Sequence, residues 1–237
     1  MLVDMHVHCT ELKDLAQYSD SYLFACVGED LETSKMILEL SRRFHFIKPC
    51  LGIHPWNIAR SSVEEARSLM ELAVSNNVEC IGEVGLDSRF VPETLPRQRD
   101  VFKVFLDYAR EYDLVLNLHT AGTHREVFQM LKTFRIEKAY FHWYTGPEDL
   151  LKELIDNGYF IGVNPSWKIQ EKHFRIISKT PLSNLLTESD APYEYKGVSL
   201  KPELINDSLN LLARLHNLDR KVVEEKIEES FKRLFTR

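Results

Sequence analysis

The segment Leu2-Val3-Asp4-Met5-His6-Val7-His8 reads as a short strand. Alternate side chains of a strand share a face, so His6 and His8 point the same way, about 7 Å apart at two residues' rise. Two imidazoles at that spacing can hold one metal ion between them. The same pattern also describes two polar residues on an exposed strand face, and His-x-His alone does not separate the two. What separates them is whether acids and histidines recur at the ends of later strands.

Beyond this segment, strand-like and helix-like stretches alternate along the chain. Apolar runs predict strands at 22–27, 46–53, 78–86, 114–119, 139–142, 158–163 and 185–187. The run at 114–119 is nearly all apolar, as a strand buried on both faces should be. A helical stripe at Ile37, Leu40 and Phe44 predicts a helix over 31–44. Ser61-Ser62-Val63-Glu64 offers a capping box, Ser61 to Glu64, for the next helix. A long helix follows Pro96, and another opens at Gly146-Pro147-Glu148-Asp149, with proline in its first turn and acids at the positive end of its dipole. Two amphipathic helices, over 202–215 and 219–235, finish the chain, with Asp219 as an N-cap. Eight strands alternating with helices over this length predict an α/β fold. The expected form is a single (β/α)8 barrel of the TIM type, with 1–237 as one domain.

Apolar residues make up 44% of the chain and charged residues 28%, ordinary values for a globular protein. No apolar run reaches the roughly 20 residues that a membrane helix needs. The N-terminus lacks the basic stretch, apolar run and cleavage site of a secretory signal, so folded structure is expected to begin at Met1. Cys9, Cys26, Cys50 and Cys80 form no CxxC pair. Buried, reduced thiols in a cytoplasmic protein are the expectation, with Cys9 near the site as a bystander or an extra soft ligand. The net charge is −6 and there is no basic run. That argues against holding long duplex nucleic acid by phosphate neutralisation, but not against gripping a single phosphate through bound cations.

Polar residues collect at the C-terminal ends of the expected strands. They are His6 and His8, then His54, Glu83, His119, His142, and finally Glu188-Ser189-Asp190. In a barrel these ends converge on one mouth. His54 could merely brace the turn before Pro55, and His119 or His142 could be satisfied core histidines. Glu83 lies between Gly82 and a short apolar run, where a carboxylate without a partner is costly. Together the cluster can hold two divalent cations, with one carboxylate bridging.

In these segments the sequence resembles the TatD family of metal-dependent deoxyribonucleases. The matching stretches are Asp4-Met5-His6-Val7-His8, Gly52-Ile53-His54-Pro55, Gly82-Glu83-Val84-Gly85-Leu86-Asp87, Leu118-His119, Phe141-His142-Trp143-Tyr144-Thr145-Gly146 and Leu185-Leu186-Thr187-Glu188-Ser189-Asp190-Ala191-Pro192-Tyr193. The resemblance implies a metallo-dependent-hydrolase-like barrel with two divalent ions per chain, Zn, Mg or Mn. It implies His6, His8, Glu83 and Asp190 around the first ion, with Glu83 shared, and His119 and His142 completing the second. His54 would sit beside the scissile phosphate. Three departures stand out: Ala121 where the family usually has an arginine, Trp56 where a second histidine is common, and an unrecognisable, shortened stretch at 195–201.

The expected activity is exonuclease-type hydrolysis at DNA ends, or of another phosphodiester, by a two-metal-activated water. Asp190 would take or orient the proton, His54 would donate to a non-bridging oxygen, and Glu188 would position a ligand or water. Trp56, Trp143 and Tyr144 lie next to these residues as candidate stacking platforms or simple loop packing. The alternatives are attack by the same water on an ester, amide or lactone, and a non-catalytic metal-bound subunit of an assembly. No membrane partner is expected.

Overall fold

In the computed structural model, which describes residues 1–236, the short apolar runs line up side by side in chain order. They are β1 (Leu2–Val7), β2 (Tyr22–Val27), β3 (Ile47–Leu51), β4 (Cys80–Gly85), β5 (Val115–His119), β6 (Ala139–Phe141), β7 (Phe160–Val163) and β8 (Leu185–Thr187). Every neighbouring pair is parallel. Sequential parallel order requires a crossover after each strand. The helices α1 (Leu31–Arg43), α2 (Val63–Ser75), α3 (Leu95–Tyr112), α4 (His124–Phe134), α5 (Glu148–Asp156) and α6 (Glu171–Lys179) supply six of them. The β1–β2 connection has only short 3-10 turns. The last two helices, α7 (Ile205–His216) and α8 (Arg220–Phe235), cover that side, and α8 packs on both β1 and β8.

The sheet closes almost to a barrel where the two ends of the chain meet. Asp190 N–H donates to His6 O, and His8 N–H donates to Ala191 O, both at 2.9 Å. Asp4 Oδ1 accepts the Ser189 N–H at 2.8 Å, stapling the same seam from a side chain. The strands are buried nearly throughout, and β4 wholly so, which is why their sequences run apolar instead of alternating.

Three local expectations are corrected. The N-cap of α2 is Ser62, accepting from the Glu65 N–H, because the Ser61 hydroxyl turns back to Asn57 O. Helices α4 and α6 add to those expected; unlike α5, neither opens on a proline, and neither has a capping side chain. The cysteines are not free thiols. Cys50 and Cys80 face each other in register on β3 and β4, 4.4 Å apart at Cα, and are bonded; Cys9 is bonded to Cys26 across 5.5 Å. The β3–β4 register brings Cys50 and Cys80 into disulfide range, and the turn after β1 brings Cys9 to Cys26 of β2, relations that sequence spacing hides. Cys9 is therefore no metal ligand, and the argument from reduced thiols to a cytoplasmic setting falls. No helix among the described residues is long and apolar enough to cross a membrane.

Candidate metal centre

The strand ends deliver their histidines and acids to one point. Glu83 of β4 is at its middle and uses both oxygens. Its Oε2 lies 3.2 Å from His6 Nε2 and 3.9 Å from His8 Nε2. Its Oε1 lies 2.8 Å from His119 Nδ1 and 3.3 Å from His54 Nε2. Asp190, three residues past β8, places Oδ1 3.5 Å from His6 Nε2 and 3.3 Å from His8 Nε2, and Oδ2 3.9 Å from His142 Nε2. Donor atoms fall within 4.8 Å of one another in the groups His6–His8–Asp190, His6–Glu83–His142 and His54–Glu83–His119. His142 stacks on His6 with ring centroids 3.6 Å apart.

Outer hydrogen bonds fix which ring nitrogen of each histidine carries the proton. His6 Nδ1–H donates to Asn117 Oδ1 at 2.8 Å, and Asn117 is oriented by its own amide bond to Met5 O. His119 Nε2–H donates to Asp87 Oδ2 at 2.9 Å, and His142 Nδ1–H to Glu188 Oε2 at 3.0 Å. His8 Nδ1 lies 3.4 Å from Glu29 Oε1. Each of these four rings meets an acceptor on its outer side, so in the neutral form that a metal binds the inner nitrogen's lone pair faces the centre. His54 is the reverse. Its Nδ1 accepts the Trp56 N–H at 3.1 Å, so its proton sits on Nε2, facing inward.

The charges around the centre are strongly coupled. Burial opposes ionisation of Glu83, but His54 and His6 and a bond from His119 hold its carboxyl well below the usual range. Asp190 is likewise lowered by His142, His8 and His6 against burial. Burial pushes the His6 pKa down, yet Glu83 and Asp190 raise it to about 10. His119 rises to about 9 against burial, through Asp87 and Glu83. His54 is lowered, by burial first, and is neutral near pH 7. The acids thus demand positive charge from their surroundings. His6 Nε2 is buried with no hydrogen-bond partner, although carboxylate oxygens lie nearby. A convergent set of imidazole and carboxylate donors with an orphaned inner nitrogen fits divalent metal ions.

A cavity of about 220 Å³ opens over the centre. Trp56 and Trp143 line it as expected, with their indole N–H groups tied to Asp87 Oδ2 at 2.7 Å and Gln170 Oε1 at 2.8 Å. Tyr144 does not line it. Its ring is fully buried, packed against Phe141 and His124, and its hydroxyl donates to Pro147 O. Glu188, named above beside the catalytic groups, is also absent from the cavity wall. It is buried behind His142, where it also accepts from the Tyr140 hydroxyl and the Trp143 N–H. Sequence reasoning missed Tyr193 and Tyr195, which reach the wall from a hairpin of β9 (Glu194–Tyr195) and β10 (Val198–Ser199). It also gave no role to Asp87, although an acid ending the β4 motif is the same signal that marked Asp190.

The family model described as TatD related DNase matches residues 3–236. The chain belongs to the TatD family. A metal-dependent hydrolase of uncharacterized function from Methanocaldococcus jannaschii is 28% identical over 214 residues, covering 89% of this chain and 84% of that one. The human deoxyribonuclease TATDN3 is 28% identical over 251 residues, covering 96% and 90%. Among solved structures, a TatD homologue from Escherichia coli superposes with a TM-score of 0.84 at 23% identity, covering 99% of this chain and 97% of that one. This TatD-family chain is a metal-dependent hydrolase. Its departures from the family pattern, Ala121 and Trp56, both line the cavity, and the stretch expected to be a shortened loop holds the β9–β10 hairpin.

Proposed function

We propose that the chain is a deoxyribonuclease that hydrolyses phosphodiester bonds at DNA ends. Two divalent cations are held in this reading, one by His6, His8, Glu83 and Asp190 and the other by Glu83, His119 and His142. The observation that carries it is Glu83, whose two oxygens face separate histidine groups. The outward proton on the four other rings supports it, because a ligating imidazole must offer a bare nitrogen. Bound cations supply an activated water at neutral pH and offset charge building on the phosphate.

The protein's own groups do the rest. Asp190 accepts the proton of the attacking water. His54 offers Nε2–H to a non-bridging phosphate oxygen as a neutral donor, and needs no second proton to do so. Glu188 is a positioning residue that holds His142 through Nδ1. Trp56, 44% exposed, and Trp143 offer faces to unpaired bases.

The test is hydrolysis of an end-labelled single-stranded oligonucleotide with Mg²⁺, Mn²⁺ or Zn²⁺, with EDTA, and with Glu83→Ala. Metal-dependent shortening from one end, absent in the variant, supports the reading. Ala121 removes a cation from the cavity wall and favours the second reading, hydrolysis of an uncharged ester, amide or lactone. Cleavage of such a panel without any DNA cleavage would replace the first reading by the second.

A further inference from the structure

The cavity wall carries the acids Glu29, Glu83 and Asp190, yet among the described residues lining it Arg89 is the only lysine or arginine. Its guanidinium makes no ion pair among the described residues. Arg125, next in sequence to the lining residue His124, is taken up by Asp149. Arg89 instead lies over the Phe90 ring, 5.5 Å from its centroid, and Phe90 meets Trp56 edge-on at 5.7 Å. A cation and two aromatic rings thus form one continuous strip beside the centre.

The turn that carries Arg89 is held rigidly against the metal-facing residues. Asp87 Oδ1 accepts the N–H groups of Arg89 and Phe90, both at 2.8 Å. Its Oδ2 accepts from His119 and Trp56. One carboxylate therefore sets the Arg89 backbone in register with His119. The same turn lies on the loop after β5, where Ser88 N–H donates to Ala121 O at 3.0 Å. Gly122 has φ +74°, and a Cβ there would stand 2.5 Å from Ser88 Oγ and 3.7 Å from Arg89 Cβ. Arg89 is thus a close neighbour of the position from which the family's arginine is missing.

We propose that Arg89 is the substrate-binding cation of this site and pairs with the non-bridging oxygens of a substrate phosphate, in place of an arginine at 121. This rests on the phosphodiester reading given above. A planar guanidinium matches two phosphate oxygens at once, which a lysine does not. The aromatic strip beside it suits a nucleotide whose base stacks while its phosphate is gripped.

The test compares steady-state kinetics of the metal-loaded protein on thymidine 5′-(p-nitrophenyl phosphate) and on p-nitrophenyl acetate. Arg89→Ala raises KM for the phosphodiester about tenfold relative to its effect on the acetate, as loss of one charge-assisted contact should. Arg89→Lys falls between. The double variant Arg89→Ala with Ala121→Arg recovers most of the loss. An active wild type whose phosphodiester KM is the same in Arg89→Ala overturns the assignment of Arg89 alone. A wild type that hydrolyses the acetate but no phosphodiester overturns the proposed function and this inference with it.

Discussion

His54 Nδ1 accepts the backbone N–H of Trp56 at 3.1 Å, and that single bond sets His54 apart from the other histidines of the centre. A ring whose outer nitrogen must accept cannot also present a bare inner nitrogen while neutral. His54 is therefore built as a donor, although its inner nitrogen lies 3.3 Å from Glu83, against 3.2 Å for that of His6.

His54→Ala should accordingly lower kcat by about a hundredfold, the scale of one lost transition-state donor, while metal content stays at the wild-type value. His119→Ala should lose metal. Metal analysis of both purified variants beside their kinetics checks this. Metal loss in His54→Ala would place His54 among the ligands.

Asp87→Asn keeps the shape but not the acceptors. Each Asp87 oxygen serves two donors, and an amide can accept on one side only. Metal affinity should weaken about 10–100-fold, as when the outer partner of a ligating histidine is lost. Competition with a chromophoric chelator measures it.

Trp56→Ala should reduce the efficiency of cleavage of single-stranded DNA about tenfold relative to a base-free phosphodiester, the scale of one stacked base. Equal losses on both substrates would assign Trp56 to packing.

His173 gives a pH prediction away from the centre. Its Nδ1–H donates to Tyr144 O at 3.0 Å and its Nε2 accepts the Asn164 N–H at 3.1 Å, so a second proton would point at a donor. Burial lowers its pKa from 6.5 to about 4. The unfolded chain therefore takes up this proton at higher pH than the folded one. The contribution to stability is complete above pH 6.5 and is lost as pH falls toward 4, amounting to roughly 3 kcal/mol at about 1.4 kcal/mol per unit. Urea midpoints from pH 8 to 5 should fall along this limb, and His173→Gln should flatten it.

Chelation should destabilise as well as inactivate. Metal at a hundred times its Kd adds about 2.7 kcal/mol, and for a chain of this size that moves Tm by roughly 5–10 °C. Thermal melts with EDTA, and after adding back Zn²⁺, Mn²⁺ or Mg²⁺, measure the shift and rank the ions.

The barrel and its mouth were legible because both rest on local signals. A strand buried on both sides must be apolar, and a histidine or acid that ends such a run stands out. His6, His8, Glu83, His119, His142 and Asp190 were found that way, and all lie together. Relations between strands left no such mark. The Cys50–Cys80 bond depends on register, the roles of Asn117 and Asp87 depend on the neighbouring strand or turn, and Arg89 owes its position to a side chain two residues earlier. Tyr144 misled because adjacency along the chain says nothing about which way a ring turns once the backbone leaves the strand. Trp143 has φ +40°, and the chain bends there so that successive aromatic side chains part company, one to the cavity and one to the core.

The seam between β8 and β1 has a consequence for how such an enzyme comes to life. Asp4 and Ser189, bonded across it, are 185 residues apart in sequence. Closing a loop of that length is an entropically late event, rewarded only once the intervening strands are in place. Because His6 and His8 belong to one lip of the seam and Asp190 to the other, a chain still emerging from the ribosome holds no finished centre. With the proposed ligands, hydrolytic power arrives with completion of the ring, and a fragment lacking either lip is disarmed.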